Sequence, residues 1–212
     1  MSVEPAAPPV EVPGPSLDAG HTARTESNRR LTALAGMVLF VLLAVQGVTI
    51  LRIHRLLGAH VVIGFVLLGP LVVKLGSTGW RFARYYTGDR EYVRAGPPRP
   101  LLRLLAPLVV VSTLAVFGSG IGLLAVSPGK GSVLLLLHKV SFIAWFALMT
   151  VHVLAYVVPA ARWSVADLLG RGPAGVVSSR RLRQALMIAS LAVGVVAGVC
   201  LLYTSPSPRD RQ

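Results

Sequence analysis

Long apolar runs alternate with short arginine-rich segments along the whole chain. Four runs are complete, 31–51, 56–75, 101–126 and 134–158, and a fifth begins near Ala185. At about 1.5 Å per residue, runs of this length cross a hydrocarbon core about 30 Å thick as helices. Apolar residues fill all sides of each run, with neither the alternation of a half-buried strand nor the single stripe of a surface helix. The pattern predicts an all-α, multi-spanning transmembrane bundle of five spans, the first four forming a core domain over 31–159.

The segments between the runs complete the organisation. Residues 1–30 are rich in proline and small residues and offer little to bury, which predicts a disordered tail. The late position of Arg24, Arg29 and Arg30 and the length of the following run argue against a cleaved secretory leader. A polar loop, 76–100, carries five arginines, with Trp80, Tyr85 and Tyr86 as an interfacial aromatic belt, and a second basic loop covers 160–184 after Pro159 ends the fourth helix. The tail and these two loops hold most of the positive charge. The turn 127–132 holds only Lys130, so the positive-inside rule places the N-terminus in the cytoplasm of a bacterial plasma membrane. The fifth span is expected over 185–199 and to be truncated, because 200–210 (CLLYTSPSPRD) resembles an in-frame translation of a sequencing-library adapter; 200–212 are therefore set aside from fold reasoning.

Composition narrows the function classes. Hydrophobic residues make up 54% of the 212, and the formal net charge of +13 is spread between apolar runs rather than gathered with interleaved aromatics, which argues against a nucleic-acid surface. Cys200 is the single cysteine, which excludes a disulfide framework and a thiolate metal site. Neither a phosphate loop nor a catalytic triad is visible.

Histidines carry the candidate chemistry. His138 and His152 lie fourteen residues apart on the fourth helix. At about 100° per residue they return to within roughly 40° of one direction, about 21 Å apart along the axis, one near each membrane surface. His60 lies near the start of the second helix, which enters from the same side as the fourth, so His60 and His138 share a depth. Two neutral imidazoles at equal depth on facing helices suit the axial positions of a b-type haem. Gly64 lies one turn below His60, and Gly47, Gly118, Gly120 and Gly122 fall in the same half of their spans, where small residues leave room for a macrocycle or serve helix packing. Arg52, Arg55, Lys130 and Lys139 lie near that surface and could neutralise propionates.

A second haem under His152 would take its other ligand from position 74, which is Lys74. Lysine ligates iron only as a neutral amine, and a blander account has it reaching to the interface. His152 then serves as a hydrogen-bonded interior histidine or in a quinone or proton site. His54 reads as a loop residue, about 240° around from His60, and His21 lies in the tail.

A histidine pair fourteen apart on one spanning helix, matched by a histidine on another, resembles bacterial membrane-integral b-type cytochromes: cytochrome b561-like and hydrogenase or formate dehydrogenase cytochrome subunits, and ferric-reductase-like transmembrane domains. The likeness covers about 31–159 and rests on His60, His138 and His152. It implies haem b, one or two per chain, with these histidines as ligands in an electron-transfer subunit, rather than a complete enzyme, working between a quinol pool and a redox partner. Lys74 departs from the two-haem pattern. The alternative class is a haem-free integral membrane protein, an anchor or small transporter subunit, although no acidic residue lies within a run and no interrupted pair of segments is repeated.

Overall fold

A computed structural model describes residues 17–96, 100–126 and 132–204. Lys130, most of the 127–132 turn, residues 1–16 and residues 205–212 of the adapter-like end lie outside the described residues. The described chain is helical: α1 (Leu17–Leu51), α2 (Ile53–Tyr86), the short α3 (Arg90–Arg94), α4 (Pro100–Ala125), α5 (Ser132–Leu168), the short α6 (Ala174–Ser178) and α7 (Arg180–Thr204). Five of these are long and apolar enough to cross a membrane, so the chain is a multi-pass membrane protein. Large apolar side chains such as Val41, Val72, Val111, Ile143, Leu154 and Ile188 are exposed along the spans, as lipid-facing residues are.

The helices run alternately up and down. One end, the basic end, gathers the start of α1, the α2–α4 connection and the α5–α7 connection; Arg52, His54, Arg55 and Lys139 mark the opposite end. α2 packs between α1 and α7, while α5 packs between α1 and α4. Leu34 and Ala35 of α1 and Met187 of α7 bury their side chains together at the first of these junctions.

Close approach of α2 and α7 depends on missing side chains. A Cβ on Gly69 would collide with Ser190 O, and one on Gly194 would come 2.7 Å from Val66 Cα. Pro70, fully buried in α2, removes the helical donor to Val66 O, and Gly194 sits against that freed carbonyl.

Several helices overrun the predicted boundaries. Helix α1 starts at Leu17 rather than Leu31, so 17–30 are not a disordered tail; the polar stretch is held by tertiary partners. Arg183 Nη1 donates to Ser27 Oγ (2.7 Å), Asn28 Nδ2 to Ser77 O (3.0 Å) and Thr25 Oγ1 to Glu91 Oε2 (3.1 Å). Helix α2 continues to Tyr86 through half of the expected 76–100 loop, and Asp89 caps α3 by accepting from Glu91 N. Pro159 does not stop α5: the helix runs on to Leu168, because proline costs one backbone hydrogen bond and packing on α1 holds the rest. The expected 160–184 loop is thus mostly helix, and α7 occupies 180–204 instead of 185–199.

Asp167, expected in a loop, is the one acidic residue of α5 and only 1% exposed. Arg183 of α7 grips it with two guanidinium nitrogens, Nε donating to Oδ2 at 3.2 Å and Nη2 to Oδ1, and also donates to Val176 O. Arg30 of α1 lies 3.7 Å from the same carboxylate and donates to Glu26 and Arg171 O, with Trp163 beside its guanidinium. Helices α1, α5 and α7 are therefore tied at the basic end by one buried carboxylate between two buried arginines. Removing one member of such a cluster strands a buried charge, at a cost of about 3–5 kcal/mol. Asp167→Ala is expected to lower the thermal unfolding midpoint in detergent strongly, whereas Asp89→Ala, which loses a partly exposed pair with Arg84 and the cap of the short α3, lowers it much less. Equal midpoints for the two variants would contradict the clamp.

Candidate functional site

At the end opposite the clamp the two helix layers part. Helix α2 forms no packed interface with α4 or α5, and between them lies a cavity of about 590 Å³. Its volume falls in the range of sites for cofactor-sized ligands, about 300–1,000 Å³. The walls are mainly apolar, with Leu43 of α1, Phe65 of α2, Phe117 of α4 and Phe142 and Trp145 of α5 among them. Polar groups are few: His60, His138, Gln46 and, towards the rim, Lys139. His60 and His138 reach it from α2 and α5, as their shared depth predicted.

His138 is oriented by α4. Its Nδ1 lies 3.1 Å from Val116 O and 3.1 Å from Ser119 Oγ. A backbone carbonyl can only accept, so Nδ1 carries the proton and Nε2 keeps its lone pair. Gly120 lets the ring come close to α4, since a Cβ there would be 3.1 Å from His138 Cε1. About two turns further along α5, Trp145 Nε1 donates to Thr113 Oγ1 at 3.0 Å and fixes an indole that lines the wall.

His60 is oriented by α1. Its Nδ1 lies 2.9 Å from Thr49 Oγ1 and 3.1 Å from Gln46 Nε2, which also donates to His60 O at 3.0 Å. In both histidines, Nε2 is the ring nitrogen without a hydrogen-bond partner among the described residues. An imidazole held through one nitrogen and open at the other is the usual state of a metal-ligating histidine. The donor set, the apolar walls and the volume fit a haem held between His60 and His138.

The other expected site residues divide. Gly64 lines the cavity, its Cβ position facing Gln46 Nε2 at 3.8 Å. Gly47 and Gly118 lie outside the cavity wall with open space where a Cβ would be, and Gly122 packs against Leu134. The cause is rotation: depth along a helix does not fix direction, and of the five expected glycines Gly64 and Gly120 fall on the inward arc with the histidines. His152 is also outside the wall; its ring lies 4.9 Å from Tyr156. Lys74 turns towards α1, where its Nζ is 3.5 Å from Thr32 O and would be 2.9 Å from a Cβ on Gly36. His54 is in the first turn of α2, not a loop, but the non-helical Leu56 separates that turn from the helix bearing His60, and His54 is exposed. Arg52 and Arg55 are exposed at the same end.

Four contributors were missed from sequence: Gln46, Thr49, Ser119 and Trp145. Gln46 had a signal, being the only amide side chain within the five apolar runs. Among the described residues no cluster of three or more His, Cys, Asp or Glu could hold a bare metal ion. Comparison with protein-family models, curated proteins and solved structures found no match for the chain.

The site predicts a specific sensitivity at Gly120. Gly120→Val is expected to push the His138 ring off Val116 O and Ser119, shifting its imidazole ¹⁵N resonances while circular dichroism stays helical. Unchanged His138 resonances would contradict the contact.

Proposed function

We propose that the protein is a membrane b-type cytochrome in which one haem, ligated by His60 and His138, relays electrons. The observation that carries this reading is the pair of imidazoles from α2 and α5 that share one apolar cavity, each held through Nδ1 with Nε2 open. Bound there, a b-type haem supplies a reversible one-electron iron couple in a low-dielectric site. The chain's own residues orient the two ligands, exclude water with Phe65, Phe117, Phe142 and Trp145, and place Lys139 at the rim where it can neutralise a propionate.

The natural electron source for a site within a bilayer is a membrane quinol, which releases two protons as it gives two electrons in single steps, and the acceptor is a redox partner protein. On the positive-inside count the basic end faces the cytoplasm of a bacterial plasma membrane and the haem lies in the outer half. Lys74 and His152 lie outside the wall of this cavity, and this reading takes one haem per chain.

The test is a variant series on purified protein. His60→Ala and His138→Ala are each expected to abolish the reduced-minus-oxidised haem spectrum, while His152→Ala and Lys74→Met retain it. A full spectrum in either of the first two variants would overturn the ligand assignment.

A further inference from the structure

The two imidazoles are not held alike. His138 faces a carbonyl that accepts only, so its proton is fixed on Nδ1 and its Nε2 is ready to ligate. His60 faces groups that can serve either tautomer. Thr49 Oγ1 lies 2.9 Å from His60 Nδ1 and 2.6 Å from Gln46 O; its hydroxyl can donate to the ring, or donate to the carbonyl and accept from the ring. Gln46 Nε2 donates to His60 O at 3.0 Å and faces Nδ1 at 3.1 Å, which suits an Nδ1 without a proton. Gln46 Oε1 is buried and has no hydrogen-bond partner among the described residues. A buried acceptor in that state is unfavourable and calls for a donor.

Resting on the haem reading above, we propose that Gln46 is a two-position partner of His60, its amide nitrogen facing Nδ1 in the unligated ring and its Oε1 turning to accept Nδ1–H once Nε2 is bound to iron. Ligation requires the lone pair on Nε2 and so moves the ring proton to Nδ1. The amide nitrogen would then oppose an N–H; a half-turn of the amide removes that conflict and gives Oε1 a donor, at the cost of the Nε2 hydrogen bond to His60 O and with the NH2 moved to the position Oε1 held. Thr49 follows by directing its O–H to Gln46 O, which leaves its oxygen free to accept from the ring. His60 O stays within the helical ladder of α2. Gln46 is thus a positioning residue, and it acts on His60 alone.

A hydrogen bond from Nδ1–H to an acceptor makes the ring a stronger electron donor, which favours ferric iron and lowers the reduction potential. Gln46→Leu is therefore expected to raise the midpoint potential of the haem-loaded protein. It is also expected to weaken haem binding by about 10- to 100-fold in a haemin titration, the usual effect of losing such a partner. Gln46→Glu, whose carboxylate accepts the same proton more strongly, is expected to lower the potential. A packing role gives no such opposition of sign. Potentials in both variants equal to wild type, or shifted in the same direction, would overturn the assignment of Gln46 and leave the ligands standing. A wild-type protein without haem would instead remove the reading on which it rests.

Discussion

A single buried carboxylate holds one end of this bundle shut. Asp167 lies in the last turn of α5, Arg183 in the first turn of α7 and Arg30 in α1, so the cluster joins three spans and ties α5 to α7, which share little contact elsewhere. Burying such charges is expensive, and the arrangement is tolerable only because backbone carbonyls, Glu26 and Ser27 satisfy the remaining guanidinium donors. The consequence is felt at the far end. With α1, α5 and α7 tied at the basic end and α2 drawn onto α7 through Gly69 and Gly194, α2 and α5 stand apart and leave the cavity between them.

The cavity's chemistry follows from how its few polar groups are satisfied. A histidine in a membrane span would normally be neutralised by a nearby donor or acceptor on both nitrogens, or be turned out towards the interface. Here α1 and α4 each supply partners to one nitrogen only. Both helices are bystanders by sequence, yet they decide which atom of His60 and His138 meets the cavity. Lys74 and His152, at the depth where a second cofactor was conceivable, lie instead beside Gly36, Thr32 and Tyr156.

The number and type of the spans were legible because membrane helices need about twenty apolar residues and little else imitates that pattern. Their ends were not. Residues 17–30, 76–86 and 160–168 look like loops because they are polar, but Ser27, Asn28 and Asp167 find partners on other helices that no local pattern reveals. The meeting of His60 and His138 was expected from their shared depth together with the tendency of ionisable side chains in a span to face the protein interior. Gly47 and Gly118 shared the depth and not the direction, since equal depth constrains only one of the two coordinates of a helix position. Thr49 and Ser119 were invisible because hydroxyls are commonplace in membrane spans, where they bond their own backbone, as Thr49 and Ser119 also do.

The claim that rises or falls with the whole account is that His60 and His138 together hold one haem. The most direct measurement is haem content per chain in wild-type protein, purified in detergent from cells supplied with haem and assayed by pyridine haemochrome against protein on the same sample. One b-type haem per folded chain is the predicted result. Folded protein without haem, or with two, would contradict it.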